Sequence, residues 1–193
     1  MTSSSKERES KLDMTDSRNI IDYYKYWTTE AIKANLDTKR HNFSILVSNL
    51  IYDFNLGSVI RNANAFLAKN VYIYGKTKYD RRSTVGTHLY SNIKIIKEID
   101  DLSSILDDSV HLVGIDNIEG AKPIETHEWP YDKHVILAFG QEQVGLPQEI
   151  VERCQEISYN TQYGSVRSLN VGCASAIAMF SYTLGLQNGQ KKV

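Results

Sequence analysis

Three separated segments of the chain combine glycine with amide, hydroxyl, carboxylate or guanidinium side chains at spacings that could support chemistry. They read Asn55-Leu56-Gly57-Ser58-Val59-Ile60-Arg61, Gly140-Gln141-Glu142-Gln143-Val144-Gly145-Leu146 and Ser168-Leu169-Asn170-Val171. A guanidinium group binds anions, and a glycine lets the backbone approach a ligand without an intervening side chain. The segments therefore indicate a site for a polar or anionic ligand.

The first segment predicts the start of a helix over residues 58–68, with Asn55 as its cap and Gly57 allowing a tight turn into it. Arg61 lies in the first turn of this predicted helix, where the helix dipole disfavours a cation. It also lies off the apolar face, which is formed by Val59, Ala63 and Phe66. An anionic partner would explain this placement, and an ordinary surface arginine is the equally weighted alternative.

The second segment follows an apolar strand, and its first residue, Gly140, is suited to close approach by a ligand. It is not the G-x-G-x-x-G pattern of dinucleotide binding, because Glu142 replaces the second glycine. Taken alone, Glu142 would be a solvated or helix-capping acid before a predicted helix at 147–154.

The third segment opens a predicted helix over residues 169–186, with Ser168 or Asn170 as its cap. Small residues recur along this helix, which predicts close packing against a neighbour; they are Gly172, Ala174, Ala176 and Ala178.

Apolar runs of strand length alternate with helical patterns from Phe43 onward, which predicts an α/β fold with a mainly parallel sheet and helices on both faces. The predicted strands are 44–51, 71–74, 93–96, 110–115, 135–139 and 156–159, and a further helix is predicted at 102–107. Ligands of such sheets bind at the carboxyl ends of the strands, where all three segments lie.

In this order and context, the segments resemble the motifs of the SpoU/TrmH family of RNA ribose 2′-O-methyltransferases over residues 43–186. The resemblance implies a C-terminal trefoil knot, S-adenosylmethionine as cofactor, and a homodimer that buries the C-terminal helix. It also implies methylation of a ribose 2′-hydroxyl in structured RNA, with transfer RNA slightly favoured over ribosomal RNA. The alternative is a catalytically silent RNA-binding protein with the same fold.

The resemblance also assigns roles to individual residues. Arg61 becomes the catalytic residue, assisted by Asn55, Glu142, Ser168 and Asn170. The implied cofactor contacts, made largely by the backbone, are Ile115, Gly140, Asn160, Leu169 and Ser168. Two positions depart from the family pattern: Asn160 replaces an aliphatic residue, and Gln143 replaces a glycine that would tolerate positive φ.

Positive charge and aromatic residues concentrate in the connection over residues 76–90, which we interpret as an RNA contact, with a solvated charged loop as the alternative. The predicted RNA-binding residues are Lys76, Lys78, Arg81, Arg82, His88 and Arg167. The formal net charge of −1 excludes a polybasic binder, so a nucleic-acid site must be a local patch.

Composition predicts a disordered polar tail over residues 1–18, and the apolar pattern predicts a helical extension over 19–42. The resemblance implies a methyltransferase domain over residues 43–193. Cys154 and Cys173 are predicted to be reduced core thiols. The scattered histidines suggest no metal site, and no apolar run approaches the ~20 residues that span a bilayer. We therefore expect a soluble, cytoplasmic protein without a metal.

Overall fold

Seven strands form one sheet in the computed structural model, which describes residues 16–48, 52–75 and 78–190. The strands are β1 (Phe43–Ser48), β2 (Val71–Tyr74), β3 (Ile93–Ile96), β4 (Val110–Ile115), β5 (Lys122–Pro123), β6 (His134–Phe139) and β7 (Glu156–Tyr159). Their order is β3-β2-β1-β6-β4-β7-β5, and every pairing between them is parallel. The predicted fold class is confirmed. The trefoil knot that the resemblance implies stays a prediction.

The predicted strands match the structure closely, with two differences. The first predicted strand ends at Ser48, and its last predicted residues, 49–51, lie outside the described part of the chain. The sequence reasoning missed β5, because two residues that include a proline give no apolar run. A proline is tolerated there because β5 lies at the edge of the sheet.

Five α-helices cover the sheet and its edge within the described residues: α1 (Thr29–Asp37), α2 (Asp53–Ala65), α3 (Ile99–Ser103), α4 (Gln148–Val151) and α5 (Val171–Gln190). The predicted helices at 102–107 and 147–154 are thus shorter or shifted. The C-terminal helix begins at Val171 rather than 169, because the Asn170 side chain accepts a hydrogen bond from the Gly172 amide at 2.9 Å and caps it.

The predicted start of α2 is wrong, and this changes the interpretation of two residues. The helix begins at Asp53 with Tyr52 as its cap residue, so Asn55 lies inside the first turn and is not the cap. Arg61 lies two turns further along and not in the first turn. The unfavourable dipole that indicated an anion therefore does not act on Arg61, because this effect fades within the first turn.

The two faces of the sheet carry separate apolar cores. One core joins α2 and α5 to the sheet, through residues such as Val59 and Ala63 of α2 and Met179 of α5. The other joins α3 and α4 to the opposite face through Leu102 and Ile150. This arrangement is why β1 and β6 read as continuous apolar runs, as expected for strands covered on both faces.

The N-terminal segment packs against its own chain. In α1, Ile32 and Leu36 are buried together with Tyr24 and Tyr90, which confirms the predicted apolar face of this helix. Thr28 caps α1 by accepting a hydrogen bond from the Ala31 amide at 3.2 Å. The division of the chain into tail, extension and domain stays a prediction, and residues 1–15 of the tail lie outside the described residues.

The two cysteines occupy different environments. Cys154 is partly buried against the core, and burial raises the pKa of its thiol to about 12, as expected of an unreactive core thiol. Cys173 is exposed on α5, so its prediction as a core thiol is wrong. The helical pattern was correct, but Cys173 lies on the side of α5 that faces away from the sheet. Among the described residues, no helix is long and apolar enough to cross a membrane.

His127 should make the protein less stable in mild acid. Its side chain is fully buried, and burial lowers its pKa, with nearby His111 and Lys122 acting in the same direction and Glu156 opposing them. Because the unfolded chain then binds the proton more readily, the free energy of unfolding falls as the pH drops through the ordinary histidine range near 6.5. Thermal unfolding of the wild type and of His127→Gln at pH 7.5 and 5.5 tests this: the variant should lose less stability, and equal losses would contradict the prediction.

Candidate active site

A cleft of about 750 Å³ opens at the carboxyl ends of β4, β6 and β7. Loops from three parts of the chain converge there, as expected for an open parallel sheet. The cleft is lined by every residue predicted to contact the cofactor: Ile115, Gly140, Asn160, Ser168 and Leu169. The structure therefore brings this predicted set together in space.

The loop after β6 folds back on itself at Gly140. Gln141 and Gly145 form an antiparallel pair, with hydrogen bonds of 3.0 Å and 2.9 Å between their backbone groups. A Cβ atom on Gly140 would overlap the carbonyl group of Gly145 and the amide nitrogen of Leu146. Glycine is required at this position because backbone, rather than a movable side chain, fills the space.

The positive φ of this loop lies at Gly145, where φ is +75°, and not at Gln143. Gln143, which replaces the glycine of the family pattern, therefore carries no backbone strain from a positive φ. Gln143 is exposed and lines the cleft.

Two adjacent residues that the sequence reasoning did not assign hold the loops of the cleft together. The Asp116 carboxylate accepts a hydrogen bond from the Leu146 amide at 2.7 Å. The Asn117 side chain donates to the Arg167 carbonyl at 2.8 Å. The sequence offered one signal for Asp116 and Asn117, because both are polar residues that directly follow a buried strand. Only Ile115, the last residue of that strand, was assigned a role.

A chain of side-chain hydrogen bonds connects all three segments. Asn55 is only 6% exposed and donates to the Glu142 carboxylate at 2.5 Å. The Asn170 side chain donates to the Asn55 oxygen at 2.9 Å, and its own oxygen accepts from the Gly172 amide. At one end of the series the Glu142 carboxylate can only accept, and at the other end the Gly172 amide can only donate. The carboxamides of Asn55 and Asn170 between them can therefore each adopt only one orientation. We call this series, from Glu142 through Asn55 and Asn170 to Gly172, the amide relay.

Arg61 is exposed on the helix that carries Asn55, does not line the cleft, and forms no hydrogen bond or ion pair with any described residue. Glu142 contacts Asn55 rather than Arg61. The helix that carries Arg61 is itself firmly held: the neighbouring Asn62 donates to the Gly172 carbonyl at 2.7 Å and to the Ser175 hydroxyl at 3.0 Å. A free guanidinium group on an anchored helix is available to a ligand.

α2 packs closely against α5 at Gly172, where an added Cβ atom would come within 2.9 Å of the Ser58 Cβ atom. The predicted close approach of the small-residue helix is thus confirmed. Ser168 is exposed beside the cleft, and no described residue forms a side-chain hydrogen bond with it.

The connection between β2 and β3 packs on the first turns of α2. The Asp53 carboxylate accepts a hydrogen bond from the Asp80 amide at 2.9 Å, and a Cβ atom on Gly57 would overlap the Ser83 carbonyl. These contacts place the connection beside the helix that carries Arg61.

The predicted RNA-binding residues differ in how available they are. Lys78, Arg81 and Arg167 are exposed, whereas Arg82 forms an exposed ion pair with Asp80 at 2.6 Å. His88 is partly buried and hydrogen-bonded through Nδ1 to the Thr84 hydroxyl at 2.6 Å, and burial lowers its pKa. It therefore supports the loop rather than adding positive charge. Lys76 lies outside the described residues.

Comparison with known proteins agrees with the geometry. The SpoU rRNA Methylase family pattern matches residues 42–180. A tRNA (guanosine(18)-2′-O)-methyltransferase of Aquifex aeolicus is 23% identical over 154 residues, which cover 77% of this chain and 72% of the relative. Among the described residues, no group of three or more His, Cys, Asp or Glu side chains is arranged to hold a metal ion.

Solved structures show the same fold. The A. aeolicus TrmH/SpoU tRNA modifying enzyme superimposes with a TM-score of 0.73 at 20% identity, covering 84% of each chain. An AdoMet-bound rRNA methyltransferase from Sinorhizobium meliloti gives a TM-score of 0.68 at 25% identity, covering 78% of this chain and 60% of that one. Since the family pattern spans most of the sequence, the chain belongs to the SpoU rRNA Methylase family.

Proposed function

We propose that the protein transfers a methyl group from S-adenosylmethionine to a ribose 2′-hydroxyl in structured RNA. The observation that carries this proposal is the amide relay, which joins the Glu142 loop of the cleft and the Asn170 segment to the helix that carries Arg61. The related tRNA methyltransferase of A. aeolicus and the AdoMet-bound enzyme of S. meliloti support the reaction and the cofactor.

The residues of the cleft fit S-adenosylmethionine. The glycine loop brings backbone groups of Gly140 and Gly145 to the cleft wall. Buried side-chain oxygens of Glu142, Asn160 and Gln162 have no hydrogen-bond partner among the described residues, which suits a ligand rich in N–H and O–H donors. Backbone groups at Ile115, Gly140 and Leu169 would hold it, together with Ser168. When bound, it supplies an electrophilic methyl group on a sulfonium.

Arg61 is the residue that we expect to act on the RNA, because it is exposed and has no partner among the described residues. An arginine side chain stays protonated at neutral pH and is a poor general base. Its forked N–H donors instead suit the ribose and phosphate of the target nucleotide and stabilise negative charge that develops at the 2′-oxygen. The amide relay keeps the Glu142 loop and the Asn170 segment in register with the helix that carries Arg61.

We assign the RNA surface to Arg61 together with the exposed Lys78, Arg81 and Arg167. Arg82 can contribute if it exchanges its ion pair with Asp80 for a phosphate, and an exposed pair of this kind is weak. The aromatic side chain of Phe54, which the sequence reasoning did not assign, is exposed on the same helix as Arg61. We favour transfer RNA over ribosomal RNA as the substrate, and the cytoplasm as the place of action.

The amide relay should act as one unit. Asn55→Ala leaves the Glu142 carboxylate and the Asn170 amide without their partner, so we expect kcat/KM for RNA methylation to fall about 10- to 100-fold. Asn170→Ala should cost a similar factor, and the double variant little more than either single one. Steady-state rates of the three variants measure this. Losses that multiply in the double variant would show that the two residues act independently.

We also propose a homodimer that buries α5. This helix is apolar on both sides: Met179 and Tyr182 face the core, while Ile177, Phe180 and Leu184 form an exposed stripe. A helix that is hydrophobic all round is normally buried.

Phe180, which is 53% exposed, is the centre of this stripe. Phe180→Asp should give a monomer in light scattering coupled to size-exclusion chromatography, because a charge would be buried in the interface. Ile21→Asp is the matched control, since Ile21 is exposed on the N-terminal segment, and it should stay dimeric. A dimeric Phe180→Asp protein would exclude this face as the interface.

The proposed activity is tested by methyl transfer from labelled S-adenosylmethionine to unmodified transfer and ribosomal RNA, with wild type and Arg61→Ala. A ribose 2′-O-methyl group protects the adjacent bond from alkali, so the label should remain in dinucleotides after alkaline hydrolysis, and only with wild type. If the wild type binds RNA but neither binds the cofactor nor labels any RNA, the catalytically silent RNA-binding protein becomes the correct description.

A further inference from the structure

We propose that the side-chain oxygen of Asn160 accepts a hydrogen bond from the 6-amino group of the cofactor's adenine and so selects an amino purine over an oxo purine. This inference rests on the proposed function, because it takes S-adenosylmethionine as the ligand of the cleft. It concerns a side chain at a position where the family resemblance implies only backbone contact.

Buried polar atoms without partners are distributed unevenly in the described residues. Six side-chain atoms are buried and have no hydrogen-bond partner there. All three oxygens belong to residues that line the cleft: Glu142 Oε2, Asn160 Oδ1 and Gln162 Oε1. All three nitrogens, which are Asn64 Nδ2, His111 Nε2 and His127 Nε2, belong to residues outside its lining. An unpaired buried oxygen is costly, so a cleft that collects them is suited to a ligand that donates hydrogen bonds.

The orientation of the Asn160 carboxamide is determined by its neighbour. Its nitrogen donates to the Ala174 carbonyl at 3.3 Å, and the carboxamide oxygen, which carries no hydrogen, could not donate in its place. The amide therefore cannot be reversed, and Oδ1 is left as an unpaired acceptor. Gln162 repeats this arrangement, because its nitrogen donates to the Arg167 carbonyl at 3.5 Å and leaves Oε1 unpaired.

Asn160 is only 6% exposed and directly follows β7, at the carboxyl end where the cleft opens. Its side chain is therefore held in place rather than extended into solvent. An aliphatic side chain at this position offers no acceptor. The carboxamide of Asn160 adds an acceptor that can bind an N–H donor of the ligand. The same acceptor disfavours a ligand that presents an oxygen atom at that point.

S-adenosylhomocysteine and S-inosylhomocysteine form a suitable pair of probes, since they differ at the purine 6-position, where an amino group is replaced by an oxo group. Their dissociation constants for wild type, Asn160→Leu and Asn64→Leu can be measured by isothermal titration calorimetry. Asn64→Leu is the control, because it removes a carboxamide whose buried nitrogen, rather than oxygen, is unpaired and which lies outside the lining of the cleft.

We define the preference as the dissociation constant of the hypoxanthine probe divided by that of the adenine probe. We expect this preference to be at least about tenfold larger in wild type and in Asn64→Leu than in Asn160→Leu. Gln162→Leu should leave the preference as in wild type, because the inference assigns the 6-position to Asn160. Equal preference in wild type and Asn160→Leu would overturn the inference. Binding of neither probe by wild type would instead contradict the proposed function.

Thermal unfolding without ligand separates this role from a structural one. Asn160→Leu should unfold at the wild-type temperature or above, because it removes a buried oxygen that has no partner. A marked drop, together with unchanged preference, would make Asn160 a structural residue. If leucine blocks the cleft and abolishes binding of both probes, Asn160→Ala, which only removes atoms, provides the same comparison of preference.

Discussion

Arg61→Lys is expected to lower the rate of methyl transfer to RNA about 100- to 1,000-fold, while the affinity for S-adenosylmethionine stays unchanged. Lysine keeps the positive charge but loses the planar fork that can hold a ribose oxygen and a phosphate together. No described residue pairs with Arg61, so the substitution breaks no hydrogen bond or ion pair with the described residues. Its effect should therefore fall on catalysis and not on stability.

The measurement is kcat under saturating cofactor and RNA, together with the dissociation constant for the cofactor and the melting temperature. Arg153→Lys is the matched control: Arg153 is partly exposed beyond the end of α4 and donates to the Glu149 carbonyl at 2.6 Å. Its rate should remain within about twofold of wild type, as is usual for surface changes. Wild-type turnover by Arg61→Lys would remove Arg61 from the mechanism.

Gly140→Ala is expected to weaken cofactor binding at least about 100-fold and to destabilise the protein by about 3 kcal/mol. The added methyl group would overlap backbone atoms of Gly145 and Leu146, which cannot rotate away as a side chain could. The loop must then open, which breaks the pairing of Gln141 with Gly145 and displaces the Leu146 amide from Asp116.

Calorimetric titration with S-adenosylhomocysteine and thermal unfolding measure the two effects, and about 3 kcal/mol corresponds to a melting temperature lower by about 6–12 °C. Gly164→Ala is the control, because a Cβ atom on Gly164 meets nothing within 4 Å and its φ is not positive. It should unfold at or slightly above the wild-type temperature. Tight binding by a stable Gly140→Ala protein would show that the loop accommodates a side chain.

Much of the fold could be predicted from the sequence, because the local pattern of apolar residues indicates which strands are buried. β1 and β6 are covered on both faces, so they read as apolar runs, and the Gly140 segment after β6 was correctly placed at the carboxyl end of its strand. The start of α2 was wrong because Asn55 resembles a cap, yet its carboxamide is occupied by Glu142 and Asn170, which are 87 and 115 residues away.

Exposure was harder to predict than secondary structure. Cys173 and Phe180 are apolar residues in a helical pattern, and a helix pattern does not show which side faces the sheet when both sides are apolar. The role of Asp116 in holding the Leu146 amide was likewise missed, since it depends on two loops that meet only in the folded chain.

The sequence by itself determined six of the seven strands, the family and the five cleft residues predicted to contact the cofactor, because periodicity and motif chemistry are local properties of the chain. Only the tertiary structure decided which side chains satisfy one another. It connected Glu142, Asn55 and Asn170 into one relay, left Arg61 free, and left the oxygen of Asn160 buried without a partner. The physical reason is that a hydrogen bond requires direction and contact between specific atoms, and both arise only when distant segments pack together.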